Sequence, residues 1–341
     1  MITVKEIARR CGVSATTVSN ILNGKPKVSE ETRQRVLDVI RETGYQPNYI
    51  AQGLRNRKTR MIGIIAEDIA QFSTPPIIEG MMEFFESRGY RTIVQNLRLY
   101  ARWSDQWYEK DAEYHSILDP VLQELRSLNV DGIIYVAGHA RVIHCFPDNF
   151  EIPAVMAYAY SENPKIPCVV VDDEKGSFQI IQYLLHAGHK KIGIIGGRQD
   201  NIHTQKRLEG YRRAFLEAGL SFEPEWIRYA NWNREKACQE TKALLEMGVT
   251  AVAAMTDAMA GGVYDALEEA GKKPGEDISV TGFDNQMIAG YFRPGLTTMA
   301  LPLLQVGEKA AEVMLEQMDG TAKERSVIPC TLVERGSVRR R

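Results

Sequence analysis

The sequence predicts an α/β chain: an all-α N-terminal helix-turn-helix headpiece followed by a larger body of two lobes built on parallel sheets. Three observations carry this expectation. Apolar runs rich in β-branched residues recur from residue 61 to residue 283 with amphipathic stretches between them, and strands alternating with helices give parallel sheets covered on both faces. Residues 1–60 lack such runs and are punctuated by hydroxyl residues and glycines at the spacing of helix starts and stops. At 341 residues, 44% hydrophobic and 25% charged, the chain is too long for one core and has the composition of an ordinary globular protein of two or three units.

The headpiece elements follow in order. In TVKE, Thr3 precedes Glu6 by three residues, the spacing of a capping box in which each side chain meets an orphan backbone N–H. A first helix starts there, with Val4, Ile7 and Ala8 inward, and Gly12 stops it. Ser14 caps a second, whose Val18, Ile21 and Leu22 recur at helical spacing until Asn23-Gly24. Ser29, with Glu30 and Glu31, opens a third that carries Val36, Leu37, Val39 and Ile40 and ends at Gly44. Three short helices with a tight turn between the first two make a helix-turn-helix, residues 1–46.

The second helix, within SATTVSNILNG, leaves small groups on the face that is not packed inward: Ala15, Thr16, Thr17, Ser19 and Asn20. A helix entering a DNA major groove needs such a face, because bulk would hold it away from base edges and phosphates. A bundle that packs a protein partner would show the same periodicity, so charge decides. Residues 1–60 carry 12 Lys and Arg against 5 Asp and Glu, whereas the remainder carries 30 against 39, within an overall charge of -2. A basic module on an acidic body points to a polyanion partner.

Residues 47–60 are expected to form a hinge helix and linker. Pro47 suits a first helical turn, and Ile50, Ala51 and Leu54 make a short apolar face flanked by Arg55, Arg57, Lys58 and Arg60. So short a helix does not hold alone and would order on a partner. An apolar residue amid Arg and Lys is what a minor-groove wedge requires; a plain basic linker is the alternative.

In the body, residues 61–341, the strand candidates are MIGIIA, DGIIYV, CVVVD, KIGIIG, AVAAM and ISVTGF, and the amphipathic stretches are 76–88, 113–128, 174–187, 205–218, 233–247 and 258–270. Sites in open parallel sheets lie beyond the C-terminal strand ends. That rule selects Asp68 and Phe72 after the first run, Thr256 and Asp257 after AVAAM, and Asp284 at the end of ISVTGFDN.

Enzyme motifs are missing: there is no G-x-x-x-x-G-K-[ST], H-E-x-x-H, G-x-S-x-G, or G-x-G-x-x-G opening a helix. His186 and His189 lack further matched metal ligands, so capping and packing at a helix end is the simpler reading. GIIGG sits at a strand end without the rest of a nucleotide fingerprint. No enzymatic activity, metal or cofactor is expected. Five scattered cysteines without a C-x-x-C pair read as reduced structural thiols, and the lack of a signal peptide or long apolar run predicts a cytoplasmic protein off the membrane.

The segment TVKEIARRCGVSATTVSNILNGKPKVSEETRQRVLDVIRETGYQPNYIAQGLR resembles the headpiece of the lactose-repressor (LacI/GalR) family along nearly its whole length. The likeness continues through GHKKIGIIGG, RLEGYRRAF, ISVTGFDN, PGLTTMALPLLQVGEKAAEVML and LVERGSVRRR. It implies a periplasmic-binding-protein-like body with an interlobe cleft. It also implies a transcriptional regulator, in first expectation a repressor, whose affinity for a pseudo-palindromic DNA operator is switched by a small ligand. By position, Ala15, Thr16 and Asn20 correspond to the family's base readers, and Leu54 to its hinge-helix wedge. Thr17, Ser19 and Asn48 correspond to backbone-phosphate contacts, with Thr3, Ser14, Asn23 and Ala51 completing the DNA-facing set. Asn20 suits bidentate pairing with adenine.

In the cleft, the resemblance places Arg207 and Trp232 as arginine and aromatic platform, and Tyr158 where the family often has a polar or charged residue. With Asp68, Phe72, Thr256 and Asp284 they describe a pocket for a hydroxyl-rich molecule, a sugar in first choice. A purine or nucleoside, a sugar phosphate or a protein corepressor remains an alternative, as does a sugar-binding or sugar-modifying protein without a DNA role. A core role is the alternative for Trp232. By resemblance a homodimer formed through the lobes is expected, and the absence of an added leucine heptad after LVERGSVRRR argues against the family's tetramer. Residues 97–117, with Trp103, Trp107, Tyr108 and Tyr114, are unusually aromatic and read as a lid, an enlarged interface or packing, with no ligand contact assigned to them.

Overall fold

The structure, a computed structural model, describes residues 2–22, 28–45, 59–104, 111–147 and 149–341. They divide into two compact units, Met1–Arg60 and Met61–Arg341.

The first unit holds α1 (Val4–Cys11), α2 (Ala15–Leu22) and α3 (Glu30–Thr43). Ile7, Ala8 and Cys11 of α1, Val18 and Ile21 of α2, and Val36 of α3 are buried together, a core that follows the helical spacing of the sequence. The starts are capped by hydroxyls: Ser14 Oγ accepts from Thr17 N at 3.0 Å, and Ser29 Oγ from Thr32 N at 3.4 Å. Gly12 and Gly44 close α1 and α3 in the left-handed conformation. The capping box closes on one side only. Thr3 Oγ1 accepts from Glu6 N at 3.3 Å, but the Glu6 carboxylate turns to Arg9 at 2.7 Å and Arg10 at 3.2 Å. Two charge-assisted bonds outweigh one bond to a neutral amide.

Among the described residues the body is built on twelve strands. They are β1 (Met61–Ala66), β2 (Arg91–Asn96), β3 (Gly132–Val136), β4 (Ala154–Ala157), β5 (Cys168–Val171) and β6 (Ile192–Gly196), followed by β7 (Ile227–Tyr229), β8 (Ala251–Ala254), β9 (Ser279–Asp284), β10 (Thr297–Ala300), β11 (Arg325–Ile328) and β12 (Thr331–Val333). The helices that cover them are α4 (Thr74–Ser87), α5 (Leu99–Trp103), α6 (Asp111–Ser127), α7 (Asp173–His186), α8 (Ile202–Glu217), α9 (Arg234–Glu246), α10 (Asp257–Glu269), α11 (Ile288–Tyr291) and α12 (Leu303–Met318).

Two six-stranded sheets result. The first runs β11-β5-β4-β3-β1-β2 and is parallel throughout. The second runs β12-β10-β9-β8-β6-β7, parallel except for β12, which lies antiparallel on β10. The chain enters the second lobe between β5 and α7, returns to the first between β10 and α12, and crosses again between β11 and β12. Three crossings give each lobe a strand or helix from both halves of the chain.

Both faces of each central strand are buried, as the unbroken apolar runs require. In β1, Ile62, Ile64 and Ala66 join the cluster under α4 and α12, while Ile65 points to the opposite face with Leu118, Leu122 and Leu125 of α6. The α4–α12 contact is close enough that a Cβ at Gly307 would be driven into the Ile77 carbonyl oxygen. All five cysteines are buried and free. His189 is a packing residue: its ring bonds Thr250 Oγ1 at 3.0 Å, Ser279 Oγ at 2.8 Å and the Arg339 carbonyl at 3.0 Å.

Candidate functional site

Because every central strand is parallel, the strand ends that carry loops into the space between the lobes are all C-terminal ends. A cavity of about 200 Å³ lies there. The first lobe contributes Gln71 and Phe72 after β1, Tyr100 at the start of α5, His139 after β3 and Tyr158 after β4. The second contributes His203 and Arg207 from α8, Trp232 after β7, Thr256 and Ala258 after β8, and Asp284 with Gln286 after β9.

Arg207 is the charged centre. Only 2% exposed, it donates from Nε to Asp173 Oδ1 at 2.7 Å and from Nη1 to the Met255 carbonyl, and its guanidinium lies 3.7 Å from the centre of the Phe283 ring. Asp284 Oδ1 stands 3.9 Å from Nη1. Asp173 also takes His203 Nδ1 on its second oxygen at 2.7 Å. Burial alone would raise the Asp173 carboxyl, but His203 and Arg207 together hold it below its ordinary range. Asp284 goes the other way: burial pushes it well up, Arg207 opposes, and nearby Asp257 adds to the rise. The difference has a geometric cause, since Arg207 spends its close contact on Asp173.

His203 ties the lobes together. Its Nε2 accepts from Ala140 N, in the loop after β3, at 3.0 Å. A backbone amide can only donate, so Nδ1 carries the proton toward Asp173 and the ring is the neutral tautomer. The Tyr158 ring packs 5.0 Å from it. His139, on the first-lobe wall, is driven down to about 3, chiefly by burial, with the Arg141, Arg207 and Arg198 guanidiniums adding to the fall.

Three wall residues sit in unusual backbone conformations: φ is 59° at Tyr158, 66° at Trp232 and 113° at Asp284. Non-glycine residues at positive φ carry strain that the surroundings must hold, and such residues gather at binding sites. At Trp232 the support is Gly197, just after β6, where any Cβ would occupy the space of the indole. This is the role of the last glycine in GIIGG. Thr256 is also the N-cap of α10, with Oγ1 accepting from Met259 N at 3.1 Å.

Of the seven residues expected in the cleft, Phe72, Tyr158, Arg207, Trp232, Thr256 and Asp284 line one cavity. Asp68 does not. Its two oxygens accept from Ala70 N at 3.0 Å and Ala101 N at 2.9 Å, so the carboxylate stabilises the turn after β1 and the start of α5. Asp257, a further strand-end candidate, is likewise bound internally, to Thr298 Oγ1 at 2.6 Å and Gln286 N at 2.7 Å. The aromatic segment 97–117 needs a correction as well, because Tyr100 is on the cavity wall. Trp103 packs against the first-lobe core, and Tyr114 is buried with its hydroxyl on that of Tyr135 at 3.1 Å; Trp107 and Tyr108 lie outside the described residues. Sequence reasoning missed Asp173, His139 and His203. Asp173 and His139 follow strand runs as Asp284 does, so the same strand-end rule would have reached them.

In the headpiece, Ser14 and Thr16 are exposed at the start of α2, and Thr17, Ser19 and Asn20 are half-buried. Ala15 is half-buried against the core. Thr17 Oγ1 and Ser14 Oγ are 2.9 Å apart, and Thr3 caps α1. Asn23, Asn48, Ala51 and Leu54 lie outside the described residues, as do Pro47 and the Asn23-Gly24 stop. Among the described residues no helix is long and apolar enough to cross a membrane, and no group of three His, Cys, Asp or Glu side chains is placed to hold a metal ion.

A capped helix-turn-helix followed by two lobes around a buried, polar, aromatic-walled cavity is the make-up of a ligand-responsive DNA-binding regulator. Comparison with known proteins agrees. Residues 3–48 match the family model for bacterial regulatory proteins of the lacI family, and residues 181–338 that for a periplasmic binding protein-like domain. The chain is 30% identical to catabolite control protein A of Priestia megaterium, over 96% of each chain. It is also 30% identical to the HTH-type transcriptional repressor PurR of Vibrio campbellii, over 96% of this chain and 95% of that one. The fold matches the lac repressor dimer bound to operator and the anti-inducer ONPF with a TM-score of 0.78, at 23% identity and over 99% of each chain. The chain belongs to the lacI family: it is a sequence-specific DNA-binding transcriptional regulator with a periplasmic-binding-protein-like ligand domain. The relatives are transcriptional regulators rather than enzymes.

Proposed function

We propose that the ligand is a sugar and that it binds between the lobes against Arg207, Asp284 and Trp232. The observation that carries this reading is the fixed guanidinium of Arg207, held by Asp173 with its remaining edge toward Asp284 beside an indole. Vicinal hydroxyls take a donor and an acceptor side by side, and the apolar face of a pyranose lies on an aromatic plane. Gln71, Gln286 and Thr256 add polar groups around that centre. The cavity size suits one sugar ring.

On DNA, two copies of the chain present Thr16 and Asn20 to the major grooves of a pseudo-palindromic operator, with residues 47–60 in the minor groove and Leu54 as the wedge. The sugar changes the relative arrangement of the lobes and thereby the affinity for DNA; a coupling of about 1–3 kcal/mol corresponds to roughly 5- to 150-fold.

The exposed rings of Phe72 and Tyr100, opposite Trp232 in the same cavity, favour one second reading, a purine held by stacking. A thermal-shift screen of the purified protein against sugars, sugar phosphates, nucleosides and purine bases separates the two. A ligand at 100 times its Kd stabilises by about 2.7 kcal/mol, which is a shift of a few degrees in a chain of this size. Stabilisation by a sugar that is lost in Arg207→Ala supports the first reading. Stabilisation by purines alone replaces it with the second.

A further inference from the structure

A second chamber of about 120 Å³ opens beyond Trp232 and His139, which line both spaces. Its other walls are Arg141, from the first lobe, and Arg198, Asp200, Asn201 and Ile202, from the second. Two guanidiniums from opposite lobes therefore face one space. The 16-residue helix α8 also begins here, with Asn201 as its N-cap and Ile202 as its first residue, so the positive end of a long helix meets the same chamber.

Each guanidinium already has a carboxylate partner. Glu67 pairs with Arg141 from behind, where Gly138 N and the Tyr135 hydroxyl also donate to it at 2.7 Å and 3.1 Å, and burial pushes its carboxyl up. Asp200 holds Arg198 through Nε at 3.0 Å and Nη2 at 2.7 Å. Its side chain is 66% exposed, so water screens its charge far more than that of a buried partner. At the partition itself His139 is pushed down to about 3, first by its burial and then by the surrounding guanidiniums.

We propose that the second chamber is an anion subsite: the effector carries a phosphate or a carboxylate seated between Arg141 and Arg198, while its hydroxyl-bearing part fills the main cavity. This rests on the sugar reading above and adds a charge to it. Guanidiniums recognise both anions through paired N–H donors. Since Arg141 and Arg198 come from different lobes, one anion between them draws the lobes together, which links occupancy to the change in lobe arrangement.

Titration calorimetry on the full-length protein tests this with matched trios: glucose, galactose and mannose, each with its 6-phosphate and its uronate. A charged member is expected to bind roughly 10- to 100-fold tighter than its neutral parent, the worth of a hydrogen-bonded charge. In Arg198→Ala that selectivity collapses, and in Asp200→Asn, where the competing carboxylate is gone, the charged member binds tighter still. Whether the phosphate or the uronate responds identifies the anion. Neutral sugars that bind as well as their charged counterparts, or selectivity that survives Arg198→Ala in a protein with normal melting, overturn the anion subsite and leave the sugar reading standing. Silence from all three trios overturns both.

Discussion

The Nε of Arg207 lies 2.7 Å from Asp173 Oδ1, and the two side chains are only 2% and 3% exposed. Neither charge would be tolerable alone at that depth. Removing one partner of a buried pair costs about 3–5 kcal/mol, because the other is left uncompensated. Asp173→Ala is therefore expected to lower the melting temperature by several degrees and to abolish stabilisation by ligand, since Arg207 loses its anchor and His203 loses its acceptor. Thermal melts with and without ligand check both halves. A variant that melts normally and still responds would show that Asp173 does not position Arg207.

Packing of α4 on α12 makes a separate prediction about stability. In a helix interior, Gly→Ala ordinarily gains about 1 kcal/mol. At Gly307 the new methyl would be driven into the Ile77 carbonyl oxygen and would stand 3.0 Å from Met81 N, and overpacking of this kind costs about 1–3 kcal/mol. The clash is the larger effect because its targets are backbone atoms that cannot rotate away. Gly307→Ala should thus unfold at lower denaturant with an unchanged slope in urea. A midpoint that rises would mean the two helices separate freely.

What was legible in the sequence follows burial except at β4 and β10, inner strands whose four-residue segments AVMA and TTMA are too short to stand out. β1, β3, β5, β6, β8 and β9 are central or fully covered and read as unbroken apolar runs. β2 and β7 lie at sheet edges, where RTIVQN and IRY mix charge with apolar residues and lose that signal. β11 and β12 are edge strands brought to their sheets by crossings that no local pattern announces. The cleft divides in the same way. Arg207, Trp232 and Tyr158 were reached through the family resemblance, and Phe72, Thr256 and Asp284 through the strand-end rule. Asp68 and Asp173 look alike to that rule, each just beyond a strand. Only the fold distinguishes the carboxylate turned to Ala70 and Ala101 from the one turned to Arg207. Tyr100 reaches the cavity because β2 stands beside β1, a neighbour relation that its own residues do not encode.

His139 predicts how stability depends on pH. Its folded value is pushed down to about 3, whereas the unfolded side chain titrates near about 6.5. The unfolded state thus takes up a proton first as the pH falls. The contribution to stability is whole above the unfolded value and is lost progressively between there and the folded value, by up to about 1.4 kcal/mol per pH unit for one proton. His189, also lowered, by its burial, acts in the same direction. Comparing His139→Asn with the parent chain isolates the first group: its melting temperature should fall less between pH 7 and pH 5. Parallel curves would place the His139 titration near its ordinary value.

Leu54 makes a prediction about DNA binding that is independent of folding. In the sequence this apolar residue is followed by Arg55, Arg57 and Lys58, and a wedge that unstacks a base step supports the bend that brings more surface into contact. Leu54→Ala should weaken operator binding by an order of magnitude or so while the melting temperature stays within about a degree, because surface truncations away from a core change stability by about 0.5 kcal/mol or less. Gel-shift titration against an operator selected from randomised duplexes measures the first, and calorimetry the second. Unchanged affinity would remove the wedge from residues 47–60.

The two ends of α2 are expected to divide sequence reading from backbone contact on DNA. Thr17 Oγ1 is 2.9 Å from Ser14 Oγ at the helix start, so part of its hydrogen-bonding capacity is already used within the helix cap. Asn20, one turn further on, carries an amide that offers one donor and one acceptor together, the pattern that adenine matches in the major groove. Loss of a base contact costs about 1–3 kcal/mol on the cognate sequence and little elsewhere, whereas loss of a phosphate contact weakens all sequences alike. Asn20→Ala should therefore flatten the preference at one base pair of each half-site, and Thr17→Ala should lower affinity evenly. Measuring both variants against every single-base change in the operator decides the matter. If Asn20→Ala also lowers affinity evenly, its amide contacts the backbone, and reading of the half-site falls to Ala15 and Thr16.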